Sequence, residues 1–578
     1  MARRLSTRLP WWVQLSDALV VGASILALLV IAGWGFKARV FGFRFSVTSA
    51  WRPAVFATAV FVLRHLVVPF PHLPARLARA AGRVAAGVSL AFVNARGSQR
   101  VRRFAARALL VGALLSPSVF YAATALTWDR EGRARVTGDE PHYLIVSDAI
   151  VRDHSLDVRR AYERDQASHR IFGPNDWQNH VRVTARGVFS VHALGTSVLL
   201  APAFGQFGLA GARLTMCLLA GLIPFVLYGI ARNFALSRAV SAFLACGISL
   251  GFPFLGAAGQ VYPDLTAGLA LLTVIYWASG PADRISSWCR VTASTLVLGA
   301  MPWLHIKNTA AAVVLAAMFA ALIWKDRSAV RTTAKCGVLL AGTASSIALL
   351  GLVNHAMFGS VAAAYAVKAA VGASPGQASM IFLGLHFDQA QGMFVQQPVL
   401  LIALLGIAPL AVRKPVLAAG VGLSYLAVLL PNSFHDCWYG CYSFGGRFMW
   451  SVIALWFLPL VALYASLGPV GRRAVVAIAS PVVLLQWRAS AWWVDRGPHY
   501  LYTWMSDDLA RRNSLFPVPW RSALPSFYDF EHYGSHVPNA VAVGVAALLA
   551  LTGLWLHRHR ARDRGGRQPA PESAYAGK

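Results

Sequence analysis

Apolar runs of about twenty residues, each long enough to cross a hydrocarbon core as a helix, recur from residue 17 to residue 557. No soluble fold buries so many in one chain. Charged residues make up only 13% of the 578 residues and mean hydropathy is +0.54, whereas soluble domains carry roughly 25% charge. The pattern predicts an all-α polytopic membrane protein. Runs near 17–36, 53–70, 107–126, 212–231, 238–257, 262–280, 290–305, 309–324, 336–354, 396–412, 415–431, 448–467, 474–488 and 537–557 give about fourteen spans, within a range of about 12–16.

The first run follows basic residues in "MARRLSTRLPWWVQ", as in a signal peptide. It is long and lacks a small-residue cleavage site, so it reads as an uncleaved first span. A net charge of +30 suggests nucleic acid in a soluble protein, but here the bias of Lys and Arg toward cytoplasmic loops accounts for it, and nucleic acid is not an expected partner. The run "VHALGTSVLLAPAFGQFG" (191–208) is laid along the membrane surface, because counting it as a span would invert every later basic loop. Both termini are then cytoplasmic, together with Arg284/Arg290, Arg413/Lys414, Arg472/Arg473 and the Arg-rich segment 72–107, which suits anionic lipid. Lys37, Arg39, Arg44 and Arg52 depart from this rule in the first outer loop. The expected organisation is N-terminal spans with a basic cytoplasmic segment over 1–106, a core 107–488 with a large outer loop 127–211, an outer loop and last span 489–557, and a disordered basic tail 558–578.

Acid collects outside on this topology: ten of the 23 acidic residues lie between Asp129 and Asp176. In "VTGDEPHYLIVSDAIVRDHSLDV", Asp139 and Glu140 come directly before Pro141, His142 and Tyr143. Pro141 predicts an extended Glu140 and a helix over 142–152, with the two carboxylates at its mouth. Asp139 there has two readings, a cap of the helix or a general base that takes a proton from an acceptor hydroxyl. Asp148, Asp153 and Asp157 read as helix-surface or loop residues.

Further polar groups fall in the other outer loops. "VYPDLTAG" places Asp264 at a span start, "MPWLHIKN" places His305 and Lys307 between spans, "GLHFDQAQ" supplies His386, Asp388 and Gln389, and "YSFGGRFMW" supplies Arg447. Ionisable groups at membrane depth are costly and mark sites. Lys307 suits either a phosphate or snorkelling to the surface, and Arg447 either a bidentate phosphate contact or an interface anchor. Cys437 and Cys441 could form a local disulfide or, with His435, a weak metal motif; the remaining four cysteines read as apolar filler. Arg64 and His65 are the main polar residues inside a span.

"GDEPHYL", "VFSVHALGTSVLLAPAFGQFG", "ARLTMCLLAGLIPFVLYGIAR" and "VYPDLTAGLALL", in this order, resemble the GT-C fold of membrane glycosyltransferases. The similarity is to the branch of protein O-mannosyltransferases and aminoarabinose transferases and covers about 107–467. It implies an inner (plasma) membrane enzyme moving a hexose or pentose from a polyprenyl-phosphate donor to a lipid, glycan or protein acceptor outside the cell, with inversion. Carried over by position, Asp139 is the catalytic base, Glu140 its partner, and Lys307 and Arg447 the donor-phosphate contacts; in the reaction expected on that basis, His142 or His386 is a candidate assistant. Tyr143, Asp264, His305, Asp388 and Gln389 are further candidates. No cofactor is required; a divalent cation, if used, would be held by Asp139, Asp264 or Asp388. Relatives carry a "PPL"-type segment where this chain has "VHALG", and two spans precede the outer loop here. The rival readings are a transporter or flippase of lipid-linked saccharide and a non-catalytic scaffold for envelope assembly.

Overall fold

The computed structural model describes residues 10–31, 36–40, 43–47, 51–68, 99–133, 136–171, 180–325, 331–362, 373–435, 438, 443–496, 524–527 and 537–565. Cys437, Cys441, the segment 72–98 and the end of the basic tail lie outside these residues. Among the described residues the structure is all-α apart from two short hairpins, and the chain divides into two compact units, Met1–Arg107 and Ala108–Lys578.

In the first unit, helices Trp11–Ile31 and Trp51–Val67 are linked through the antiparallel hairpin Phe36–Val40/Phe43–Val47, which carries Lys37, Arg39 and Arg44. They pack together and bury an ion pair, with Arg64 Nε 2.9 Å from Asp17 Oδ1. Arg64 is therefore neutralised by a neighbouring helix.

The second unit is built on apolar helices. Among the described residues seven are long and apolar enough to cross a membrane: Phe104–Arg130, Leu194–Asn233, Ile306–Lys325, Thr332–Phe358, Pro415–Ser433, Pro469–Ala491 and Val537–Arg558. Shorter apolar helices, Arg238–Ser249, Pro263–Ala278, Pro398–Arg413 and Ile453–Ser466, lie among them. Long helices such as Thr332–Phe358 and Val537–Arg558 leave Leu349, Leu352, Leu548 and Leu551 exposed, as a lipid-facing surface requires. This is an integral membrane protein.

Some boundaries differ from the sequence reading for local reasons. The run expected at 238–257 stops at Ser249, ahead of Gly251 and Pro253, and resumes only as the single turn Phe254–Ala257. The run at 396–412 begins as a 3-10 stretch, Pro398–Gly406, before the α-helix Ile407–Arg413. In 191–208 the chain enters a helix at Leu194 whose backbone breaks at Gly208 (φ 62°, ψ −146°), changing direction before the stretch up to Ala220.

A second, smaller apolar core supports the segment between Glu140 and Leu194. Ile145, Val146, Val158, Tyr162, Val188 and Leu194 pack together, with Met357 from the end of Thr332–Phe358. All nine residues of helix Glu140–Asp148 are buried. A π-helical turn Ala149–Asp153, helix Arg159–Ser168 and the hairpin Val181–Thr184/Gly187–Ser190 complete this layer. Arg164 hydrogen-bonds both Asp148 and Asp153 at 2.7 Å, so these two acids are paired, and Asp148 is buried.

Candidate functional site

The helix that carries Asp139 begins earlier than Pro141 suggested. Glu140 is its first residue, and Pro141 occupies the first turn, where a missing N–H costs nothing. Asp139 stands at the N-cap with helical backbone angles (φ −82°, ψ −13°) and makes no side-chain cap hydrogen bond. Its carboxylate instead accepts a hydrogen bond from Arg447 Nη2 at 2.7 Å, across 308 residues of sequence. Of the two readings of Asp139, the capping one is therefore excluded.

Arg447 bridges two acids, since its Nε also donates to Asp264 Oδ2 at 3.3 Å. Asp264 is fully buried in the first turn of helix Pro263–Ala278, where the helix dipole favours negative charge, and its other oxygen accepts from Lys307 Nζ at 2.5 Å. Lys307 is thus held inward, not snorkelling. The Arg447 guanidinium lies over the Tyr262 ring, 3.9 Å from its centre. Two carboxylates and two cations from four distant stretches of chain form one chain of charge-assisted bonds, with Asp139 at the more open end (20% side-chain exposure, against 0% for Asp264).

The neighbouring residues hold this arrangement in place. Glu140 Oε1 accepts the Val261 N–H at 2.7 Å and Tyr262 Oη donates to the Thr137 carbonyl at 3.2 Å, tying the Asp139 turn to the start of the Asp264 helix. Glu140 thus braces the turn that presents Asp139. His305 Nδ1 accepts the Lys307 N–H at 3.2 Å and so shapes the turn that presents Lys307. Gly195 lets helix Leu194–Ala220 meet the end of Trp288–Leu304: a Cβ there would lie 2.6 Å from the Trp303 carbonyl carbon.

Arg447 is presented by a left-handed turn at Gly446 (φ +76°), whose N–H donates to Gln391 Oε1 at 2.6 Å. Gln396 Nε2 donates to the Gly445 and Ala390 carbonyls, both at 3.1 Å. Asp388 closes the supporting loop: Oδ1 accepts the Ala390 and Gln391 N–H groups and Oδ2 the Phe527 N–H. Gln389 is buried nearby, and its N–H donates to the Pro525 carbonyl. His386 bonds the Phe382 carbonyl and Tyr425 Oη and packs among aromatic rings. The bonds described for His386, Asp388 and Gln389 thus serve packing and the closure of the loop that supports Arg447.

Beside Asp139 lie three imidazoles, of which only His142 was singled out from sequence. His142, His180 and His192 offer ring nitrogens within 4.8 Å of one another, the one such group of ligating side chains among the described residues. Of the acids named as ligands for a divalent cation, should one be used, Asp264 has both oxygens engaged, by Arg447 and Lys307, and Asp139 has Oδ2 engaged by Arg447. Tyr143 is buried with its ring against His192, 5.2 Å between centres.

Burial by itself would raise the Asp139 carboxyl, but Arg447, with smaller effects from His192 and His180, holds it well below the usual carboxylate range. Burial raises Glu140, against the pull of Arg213 and the Val261 and Thr137 N–H groups. Burial and the adjoining histidines lower His142 to about 2, and burial likewise lowers His192 to about 4, so both are neutral at physiological pH.

No protein-family model and no curated protein matches this chain.

Proposed function

We propose that this protein is a membrane glycosyltransferase of GT-C architecture with about fourteen spans, acting on the extracytoplasmic face of an inner membrane. It moves a sugar from a polyprenyl-phosphate donor to an acceptor hydroxyl with inversion. The acceptor oxygen attacks the anomeric carbon, its proton passes to Asp139, and the bond from sugar to phosphate breaks to release polyprenyl phosphate. The observation that carries this reading is the carboxylate of Asp139, which leaves its own helix uncapped to join Arg447, Asp264 and Lys307.

The coupling has a chemical use. A donor phosphate competes with Asp139 and Asp264 for Arg447 and Lys307. As Arg447 turns to the phosphate, Asp139 loses the charge that keeps its proton affinity low, so the base strengthens only when the donor is bound. An acceptor proton is then taken in the presence of the leaving group and not before. The apolar helices around the cluster suit a donor whose polyprenyl tail stays in the bilayer.

The test is transfer of label from polyprenyl-phosphate hexoses and pentoses in proteoliposomes. Asp139→Asn should slow transfer about 10²–10⁴-fold, the usual contribution of a positioned general base, and Lys307→Ala should chiefly raise KM for the donor. Transfer by Asp139→Asn at the wild-type rate would remove the base assignment. Movement of lipid-linked saccharide across the bilayer without transfer would replace the enzyme with a transporter.

A further inference from the structure

The hairpin Val181–Thr184/Gly187–Ser190 opens toward helix Glu140–Asp148 and brackets itself with histidines. Val181 pairs with Ser190, and the Val191 N–H donates to the His180 carbonyl at 3.0 Å, so strand-like pairing continues past the strands and brings His180 and His192 together. There His180 Nδ1 and His192 Nε2 face each other at 2.9 Å. His142, from the first turn of the helix, stacks on His180 with 3.7 Å between ring centres and lies 5.4 Å from His192.

We infer that His142, His180 and His192 bind a divalent transition-metal ion of the zinc type. At that distance one imidazole donates its N–H to the other's lone pair, and an ion that both rings ligate would take the place of that proton. Ligation at about 2.0–2.1 Å in tetrahedral geometry sets nitrogens about 3.3 Å apart. The His180–His192 pair therefore has to open by only a few tenths of an ångström, while His142 closes in from within the 4.8 Å spread. The rings are nearly parallel, so uptake turns one ring out of the stack; His180 is the most exposed of the three.

The surroundings suit that ion better than a hard one. Tyr162 Oη lies 2.6 Å from His142 Nδ1 and orients the ring, as an outer-shell partner orients a metal-bound histidine. Three imidazoles favour zinc-like ions, whereas magnesium and calcium require oxygen donors. Three protein ligands leave a fourth position for water or substrate. The ion would clasp the hairpin to the helix that begins beside Asp139. This inference does not depend on the glycosyl-transfer reading.

The experiment uses the full chain in detergent, purified with a histidine-free tag and stripped with chelator. Zinc is titrated against a chromophoric chelator, and cobalt is added separately to read its visible spectrum. The wild type should bind about one ion per chain with the spectrum of a four-coordinate site. His180→Ala and His192→Gln should abolish the tight site, and Tyr162→Phe should weaken it about 10–100-fold. The proposal fails if folded wild-type protein takes up no zinc, or if His142→Ala/His180→Ala/His192→Ala binds as much as wild type. The wild-type titration and Tyr162→Phe decide the matter even where a histidine variant does not fold.

Discussion

Arg447 is the residue on which the ionic cluster turns, because one guanidinium reaches two carboxylates. Lysine is a point charge and does not reproduce that fork. Removing the charge altogether strands Asp264 without its second cation in a fully buried position. Arg447→Met should therefore destabilise the protein by about 3–5 kcal/mol, read by equilibrium unfolding in detergent. Combining it with Asp264→Asn should recover some of that loss; a double variant no more stable than Arg447→Met would argue against a buried charge as the cause. The sequence marked Asp139, Asp264, Lys307 and Arg447 because charge at membrane depth is costly wherever it occurs. That the cations would be paired with the acids was hidden, since their separations of 43, 183 and 308 residues have no local signature. His180 and His192 were missed although a signal existed: "HVRVTARGVFSVH" alternates like a hairpin and has a histidine at each end.

At the scale of elements, the loop 388–397 and the turn 445–447 act as a unit. Two glutamines and the Asp388 carboxylate fix the turn that carries Arg447. A Cβ on Gly446 would meet the Gln396 amide at 2.4 Å and sit on left-handed backbone. Gly446→Ala should cost about 1–3 kcal/mol, seen as a lower melting temperature together with faster amide exchange at Gln391 and Gln396. The motif "LHFDQAQGMFVQQP" was visible in sequence as a polar cluster, but its service to a second loop was not, because each bond spans about fifty residues. The layer around helix Glu140–Asp148 offers a pH test. Hydrogen bonding by Arg164 holds the Asp153 carboxyl below its ordinary range, so the pairing stabilises the fold above the ordinary carboxylate pKa of about 3.9 and is lost as pH falls through the lowered value. The melting temperature of Arg164→Ala should lie below that of wild type at neutral pH, and the gap should narrow under acid. A gap independent of pH would mean that Arg164 contributes packing alone.

Across the whole molecule, the class of fold was legible because a membrane helix is specified by its own residues: length and apolarity over one stretch suffice. Boundaries shifted where Pro253, Pro398 or Gly208 interrupts an apolar run, which hydropathy does not register. The meeting of the loops was not legible, since it depends on how helices pack. One consequence concerns how anything finds this site. Two carboxylates facing two cations sum to no net charge, so beyond a Debye length of about 8 Å the cluster presents no monopole to solution. On the proposed reading, the anionic headgroup of the donor would not be drawn in from afar; it would arrive by lateral diffusion of its hydrocarbon tail, and capture should be almost indifferent to ionic strength.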